Sequence, residues 1–173
     1  MSEKSFIGYE YKDISTKLEM ESVYADGYEN FGWSLDSTSS PSKGLGTVSM
    51  KFKRDRKINN KTELTRLQRQ FDSGVEEINS LEASKTARAS IVAYTLGMIG
   101  SAFMAGSVFA VTHQPPMVAL CIILAIPGFL GWILPYFGYC AIRKSKSAQV
   151  TPLIEQKYDE IYQICKKANE LLG

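Results

Sequence analysis

Residues 89–112, ASIVAYTLGMIGSAFMAGSVFAVT, and residues 117–142, MVALCIILAIPGFLGWILPYFGYCAI, are two long apolar stretches separated only by His113-Gln114-Pro115-Pro116. Residues 89–142 contain no Asp, Glu, Lys or Arg, so every charged residue of the chain lies in the flanking segments. At about 1.5 Å per residue, a helix over 89–112 is about 36 Å long, enough for the hydrocarbon core of a bilayer. The pattern predicts an α-helical membrane protein with a two-helix transmembrane hairpin and a tight outer turn at 113–116.

The basic residues around the apolar stretches predict the orientation of the hairpin. Lys85 and Arg88 precede the first stretch, Arg143, Lys144 and Lys146 follow the second, and the turn has no Lys or Arg. Because basic residues favour the cytoplasmic side, both termini are expected in the cytoplasm and the protein in the plasma (inner) membrane. The first apolar run begins near residue 89, so no cleavable signal peptide is expected. Aromatic residues suited to the headgroup region lie toward the cytoplasmic end of the second helix: Trp132, Tyr136, Phe137 and Tyr139.

Apolar residues at helical spacing predict a stalk helix over 59–88 and a helical tail over 143–173. The stalk stripe comprises Leu64, Leu67, Phe71, Val75, Ile78 and Leu81, and the tail stripe comprises Ile154, Tyr158, Ile161, Cys165, Ala168 and Leu172. Asn60 with Glu63 predicts a helix start, and Thr151-Pro152 predicts a second one. The two stripes pack either against each other, as a cytoplasmic extension of the hairpin, or against a neighbouring subunit.

Residues 1–58 predict a small cytoplasmic α/β domain of order β-α-β-β. Ile7, Tyr9 and Tyr11 alternate as a strand, and a helix ending at Gly32 carries Leu18, Met20, Val23, Tyr24, Tyr28 and Phe31. Trp33 and Leu35 begin a second strand, residues 37–46 form a loop, and Val48, Met50 and Phe52 alternate in a third strand. A unit this small buries little apolar surface alone, so it is expected to pack on the stalk or on its own copy.

Small residues recur every four positions in the first apolar stretch. One row contains Ala89, Ala93, Gly97, Ser101 and Ala105, and a second row contains Ala102, Gly106 and Ala110. Small residues allow helix backbones to approach closely in lipid, where association gains nothing from the hydrophobic effect. The rows therefore predict helix association, either with the second helix of the hairpin or with another subunit; one row could serve each.

The second apolar stretch is interrupted by Pro127, Gly128, Gly131 and Pro135. Proline in a helix frees a backbone carbonyl, and such carbonyls line an ion path in some proteins and accompany a static kink in others. The static kink is the favoured interpretation here. Neither apolar stretch contains a carboxylate or a basic side chain, which argues against an ion-coupled transporter.

No residue pattern indicates enzymatic chemistry. The chain lacks the GxxxxGK[ST], GxGxxG, GxSxG and HExxH motifs, and its single histidine, His113, lies in the turn. The cysteines Cys121, Cys140 and Cys165 show no metal-ligand spacing. We therefore predict no catalytic, cofactor-binding or metal site, and no cofactor. Neither flanking segment is basic enough to predict nucleic-acid binding; the basic run at 51–57, KFKRDRK, favours a solvated face over contact with anionic lipid or an acidic partner.

Four segments resemble an uncharacterised family of small two-pass bacterial membrane proteins: KFKRDRKINNKTELTRLQRQFD (51–72), SAFMAGSVFAVT (101–112), ILAIPGFLGWILPYF (123–137) and TPLIEQKYDEIY (151–162). The resemblance implies a membrane hairpin but no activity and no site residue. The layout is also similar to that of the mitochondrial calcium uniporter pore subunit. The acidic filter motif of that family has no counterpart in residues 113–117, HQPPM, which argues against selective calcium conduction by that device.

The sequence thus favours a non-enzymatic two-pass membrane protein that contacts the lipid bilayer, forms a homo-oligomer and presents a cytoplasmic domain to a protein partner, as a scaffold or adaptor. The alternative is a subunit of a homo-oligomeric ion channel or pore, lined by small residues, hydroxyls and backbone carbonyls.

Overall fold

A computed structural model of the chain describes residues 8–39 and 46–173, and this part of the protein is mostly helical with a small N-terminal sheet. In chain order the elements are β1 (Tyr9–Lys17), a single 3-10 turn (Leu18–Met20), α1 (Glu21–Glu29), β2 (Ser34–Ser39), β3 (Thr47–Asp55), α2 (Lys61–Thr112) and α3 (Val118–Glu170). The predicted β-α-β-β order is therefore confirmed. Ile7 and the centre of the predicted loop lie outside the described residues, whereas Ser37–Ser39, predicted as loop, belong to β2.

The chain divides into two compact units. The α/β unit comprises Met1–Glu77 with Lys157–Gly173, and the apolar unit comprises Ile78–Gln156. Helices α2 and α3 contribute residues to both. The α/β unit is thus larger than the predicted domain of 1–58.

The sheet of the α/β unit is antiparallel with strand order β1-β3-β2. Register runs from Tyr9 opposite Asp55 to Lys17 opposite Thr47, which places β3 in the centre. Along β3 the side chains of Val48, Met50 and Phe52 are buried, as their alternation predicts.

Aromatic side chains from α1 and α2 complete the core above the sheet. Tyr28 and Phe31 of α1 and Phe71 of α2 are fully buried, and the ring centroids of Phe31 and Phe71 are 5.5 Å apart. A β-carbon at Gly27 would overlap the Phe71 ring, so glycine at this position lets α1 and α2 approach closely. The sheet therefore packs on the predicted stalk, one of the two arrangements that the sequence left open.

The C-terminal part of α3 packs on the same stretch of α2. A β-carbon at Gly74 would lie 3.0 Å from Cγ1 of Ile161, which is buried. Lys157 Nζ lies 3.0 Å from a carboxylate oxygen of Glu77. Within the α/β unit the two predicted stripes thus pack against each other in one chain.

Of the two predicted helix starts, the one at Asn60 is confirmed and the one at Thr151-Pro152 is not. Helix α2 does begin after Asn60, but Asn60 has a positive φ of 54°, and its side-chain amide donates to the Leu171 carbonyl instead of accepting from the first turn. The predicted start at Thr151-Pro152 is wrong, because α3 continues through both residues. The Thr151 hydroxyl donates to the Ser147 carbonyl one turn earlier, at 2.8 Å, so it satisfies the existing helix.

A buried polar network centres on the Tyr28 hydroxyl. It donates to Asp72 at 2.8 Å and accepts from Lys12 at 2.6 Å and from Gln68 at 3.2 Å. The indole N–H of Trp33 donates to the Gln68 amide oxygen at 2.9 Å. Burial, reinforced by the negative charge of Asp72, raises the pKa of Tyr28, so the hydroxyl stays protonated and keeps donating.

Removing the Tyr28 hydroxyl should destabilise the α/β unit. In Tyr28→Phe the buried Gln68 amide loses an acceptor, and we expect a loss of about 1–3 kcal/mol in the free energy of unfolding. The matched control is Tyr11→Phe, which removes an exposed hydroxyl. Thermal unfolding of the full chain in detergent, followed by Trp33 fluorescence in a Trp132→Phe background, measures the difference. Equal midpoints for the two variants would contradict this role.

A second cluster places a guanidinium from the basic run inside the unit. Arg54 is only 4% exposed; its Nη2 lies 2.6 Å from Glu10, and its Nη1 donates to the Phe31 carbonyl at 3.2 Å. Lys61 Nζ lies 2.6 Å from the other Glu10 oxygen. Burial acts to raise the pKa of Glu10, but the hydrogen bonds from Lys61 and Arg54 outweigh it, and the pKa lies below its usual value. Arg54 is therefore an exception to the solvated face predicted for 51–57.

The Glu10 cluster predicts acid sensitivity. Because the folded-state pKa of Glu10 is lowered, its stabilising contribution is present above the unfolded-state pKa of about 4.3 and is lost as pH falls through the folded-state pKa. At neutral pH, Glu10→Gln should lower the melting temperature of the α/β unit, measured by Trp33 fluorescence. The difference in melting temperature between this variant and the parent chain should shrink as the pH is taken below about 4. Glu19→Gln, an exposed carboxylate, is the control. A Glu10→Gln difference independent of pH would overturn this assignment.

Candidate functional site: the apolar helix pair

The apolar unit contains the two stretches that dominate the sequence. Within residues 8–39 and 46–173, two helices, α2 and α3, are long and apolar enough to cross a membrane. Helix α2 ends at Thr112 as predicted, and α3 begins at Val118, one residue after the predicted 117. The Met117 N–H donates to the Ala110 carbonyl at 3.0 Å and helps to close the turn. The Gln114–Pro115 peptide bond is cis.

The outward faces of both helices consist of exposed apolar side chains. In the most apolar 18-residue window of each helix, only 11% of α2 and 6% of α3 is buried within the chain. Tyr94, Phe109 and Ile123 are 76%, 75% and 64% exposed. A contiguous apolar surface of this kind marks contact with lipid or with another protein.

Glycines allow α2 and α3 to meet backbone to backbone. A β-carbon built on Gly131 would lie 2.6 Å from the Gly100 Cα, and one built on Gly100 would lie 2.9 Å from the Gly131 carbonyl carbon. A β-carbon on Gly128 would lie 2.7 Å from the Met104 sulfur. No side chain fits between Gly100 and Gly131, so these two positions fix the closest approach of the pair. We call the contact of Gly100, Met104, Gly128 and Gly131 the glycine seam.

Hydroxyl groups along the pair have partners. Ser107 is buried, and its Oγ donates to the Cys121 carbonyl across the pair at 2.9 Å. The hydroxyls of Thr95 and Ser101 instead donate to carbonyls of their own helix, with Ser101 reaching Gly97 at 3.0 Å. The polar atoms are therefore compatible with an apolar surrounding.

The predicted small-residue rows lie mainly beside the glycine seam. Gly106 faces Leu124, with an added β-carbon 3.5 Å from its Cδ1, and Ala93 is half-buried. Gly97 has open space, since no atom lies within 4 Å of an added β-carbon. Of the remaining members, Ala89 and Ala110 are buried, whereas Ser101, Ala102 and Ala105 are exposed.

A shallow groove follows one of these rows. It has a volume of about 500 Å³ and includes Gly97, Ser101, Trp132 and Pro135. The Trp132 indole N–H donates to the Ser101 hydroxyl at 3.3 Å. The groove thus combines small residues with a satisfied polar pair on a face that the hairpin itself leaves open.

The predicted kink residues lie inside α3, whose helix continues through Pro127 and Pro135. Gly128, next to Pro127, is buried in the glycine seam. Each proline lacks an N–H, so the carbonyls four residues earlier, Ile123 and Gly131, receive no helical hydrogen bond from it.

The predicted membrane-surface basic residues differ in their partners. Lys85 pairs with Glu82 at 2.6 Å, and Lys146 donates to the Gln149 amide at 3.2 Å. Arg88, Arg143 and Lys144 are exposed and form no ion pair with any residue that the structure describes.

A cleft in the α/β unit is a second candidate surface. It lies between α1 and the C-terminal part of α3, has a volume of about 600 Å³ and has Phe71 among its lining residues. Its polar side chains include Asp26, Asn30, Asp159, Lys166 and Asn169. Burial raises the pKa of Cys165, also in the lining, to about 11, so this thiol stays protonated near neutral pH.

Sequence reasoning missed Gly100 as the closest-approach position. The predicted rows have a spacing of four, whereas Ala93, Gly100 and Ser107 recur every seven residues, and of these Gly100 and Ser107 are buried. A seven-residue repeat is the period of left-handed helix packing. That repeat, together with Gly128 and Gly131 on the other stretch, was the available signal.

No group of three or more His, Cys, Asp or Glu residues in the described segments is placed to hold a metal ion. The chain matches no protein-family model, no curated protein and no solved structure.

Enlarging a glycine of the seam should destabilise the hairpin. Gly131→Ala places a methyl group against the Gly100 backbone, which cannot rotate away, and we expect a loss of about 1–3 kcal/mol. Gly138→Ala is the control, because an added β-carbon there has no neighbour within 4 Å. Heating the detergent-solubilised protein and measuring the monodisperse fraction by size exclusion should give a lower midpoint for Gly131→Ala only. Equal loss in both variants would show that the two helices do not meet at Gly131.

Proposed function

We propose that this chain is a two-pass integral membrane protein, with both termini in the cytoplasm, that self-associates and presents its α/β unit to a cytoplasmic protein partner. In this role it acts as a non-enzymatic scaffold or adaptor. The observation that carries the proposal is the exposed apolar surface of α2 and α3 over residues 89–142, which contain no charged side chain.

The bilayer is the environment that best fits this surface. Each Å² of apolar surface kept from water contributes roughly 25 cal/mol, so leaving two faces of this length in water is unfavourable. The backbone satisfies its own hydrogen bonds in a helix, as lipid requires. Ser107 and Thr95 follow the same rule, since their hydroxyls donate to backbone carbonyls.

Charge supports the proposed orientation. All five basic residues nearest the apolar stretches lie at the ends remote from the 113–116 turn: Lys85, Arg88, Arg143, Lys144 and Lys146. By the positive-inside bias, these ends face the cytoplasm and the turn faces outward.

The open small-residue face supports self-association. Gly97 has free space beside it, and Ser101 and Ala105, one and two turns further along, are exposed. Since the glycine seam already joins α2 to α3, this second face remains available for another copy of the chain. Small residues would let the two copies approach closely and gain van der Waals contact.

The cleft between α1 and α3 supports the proposed partner contact. Apolar side chains such as Val23 and Ile161 line it together with both acidic and basic groups, including Asp26, Asp159 and Lys166. Apolar lining with a mixed polar set favours a protein segment over a nucleic acid, which would call for a basic surface.

A homo-oligomeric channel is the second candidate. It is favoured by one observation, the groove of Gly97, Ser101 and Trp132, which offers polar atoms on an outward face. Several copies facing each other with this groove would enclose hydroxyls and small residues.

Self-association is tested by enlarging the open face. Gly97→Leu fills free space within one chain, so the hairpin should fold normally, whereas the second copy should be displaced. Gly138→Leu, which also has open space, is the control. Chemical cross-linking in membranes, with native mass spectrometry in detergent, should show an oligomer for the parent and Gly138→Leu and mainly monomer for Gly97→Leu. A monomeric parent chain would defeat both candidate functions.

Ion flux separates the two candidates once an oligomer is established. Liposomes reconstituted with the verified oligomer should show no flux above protein-free liposomes if the scaffold proposal is correct. Flux that the parent supports and Gly97→Leu abolishes would replace the scaffold with the channel.

A further inference from the structure

We infer that the face of α3 directly after the second apolar stretch binds the headgroup phosphate of an anionic phospholipid. The inference deepens the proposed function, on whose membrane location it rests, by assigning a lipid ligand to named residues. We call this face the headgroup site; its ligating residues are Arg143, Lys144 and Ser147.

The headgroup site is an open, shallow face along one side of α3. Its lining includes Tyr139, Arg143, Lys144, Ser147, Thr151 and Glu155. Residues four apart on a helix share a face, so Arg143, Ser147 and Thr151 follow one another over about 12 Å.

The positive charges in the site are uncompensated. Neither Arg143 nor Lys144 forms an ion pair among residues 8–39 and 46–173, whereas Lys85 and Lys146, flanking the same apolar stretches, already have partners. Glu155, the acidic residue in the lining, lies twelve residues beyond Arg143, about 18 Å along the helix. Arg presents a planar donor fork that fits phosphate oxygens, and Lys adds a point charge.

The site adjoins the apolar surface where acyl chains would lie. Tyr136 and Phe137, one to two turns before Arg143, are both more than half exposed. A phospholipid bound here would place its phosphate at Arg143 and Lys144 and its chains along these rings. A free phosphate ion would contact only Arg143 and Lys144, so the adjacent apolar surface favours a phospholipid as the ligand.

The helix also supplies an acceptor. Pro152 lies within α3 and has no N–H to donate to the carbonyl of Ala148, a residue that lines the headgroup site. That carbonyl can accept a hydrogen bond from a headgroup hydroxyl. Phosphatidylglycerol, which combines one negative charge with two hydroxyls, is therefore a suitable probe.

Native mass spectrometry of the full-length protein in detergent can measure the binding directly. Phosphatidylglycerol and phosphatidylcholine, with the same acyl chains, are titrated separately, so that charge is the variable. The test variant is Arg143→Gln with Lys144→Gln. The matched control is Arg69→Gln with Lys167→Gln, which removes one Arg and one Lys from exposed positions outside the headgroup site.

The parent and the control should prefer phosphatidylglycerol, and the test variant should bind it about 30-fold more weakly while its binding of phosphatidylcholine stays the same. Equal loss in the test and control variants would overturn the inference, because the effect would then be one of net charge. Displacement of phosphatidylglycerol by inorganic phosphate at millimolar concentration would assign the site to free phosphate and overturn the lipid assignment.

Failure of this inference is distinguishable from failure of the proposed function. A parent chain that remains in the membrane fraction after alkaline extraction, yet does not distinguish the two lipids, removes the headgroup site alone. A chain extracted as a soluble protein removes the membrane location and, with it, the headgroup site.

Discussion

The close contact between Gly100 and Gly131 sets the geometry of the apolar unit. Because no side chain lies between the two backbones, α2 and α3 are close enough for Ser107 to donate to the Cys121 carbonyl and for Gly128 to contact Met104. Their larger apolar side chains are then left on the outside, where only lipid or another apolar surface accommodates them. A narrow interior of small residues and a broad apolar exterior are the reverse of a water-soluble helix pair, and the proposed membrane location follows from that inversion.

The α/β unit differs from the helix pair in having large side chains in its interior. Its interior holds large aromatic rings and, among them, polar groups whose partners are all supplied by the chain: the Tyr28 hydroxyl with Asp72, and the Arg54 guanidinium with Glu10. Such groups fix one arrangement of the strands on α2, because any shift leaves a buried donor or acceptor unpaired. The open surfaces of this unit, above all the cleft next to Phe71, are therefore displayed on a rigid support, as a contact surface for a partner requires.

The sequence predicts the elements of this protein better than their ends and contacts. The two long apolar helices, the short turn between them and the burial of Val48, Met50 and Phe52 are all found where the sequence predicts them. The prediction of a helix start at Thr151-Pro152 is wrong because α3 begins earlier in the chain and continues through both residues. The glycine seam could not be predicted, because it depends on which residues of two distant segments meet. The Arg54–Glu10 ion pair was not predicted because Arg54 lies in a run of charged residues typical of a protein surface.

Whether residues 89–142 form a lipid-embedded hairpin can be measured by cysteine labelling from outside intact cells. In a chain whose Cys121, Cys140 and Cys165 are replaced by Ala, single cysteines are placed at His113, Ile123 and Ser145 and exposed to a membrane-impermeant maleimide. If the hairpin lies in lipid with both termini in the cytoplasm, residue 113 should be labelled in intact cells, residue 145 only after permeabilisation, and residue 123 in neither case, although Ile123 is 64% exposed within the chain. Labelling of 145 from outside, or of 123 as readily as 113, would contradict this arrangement.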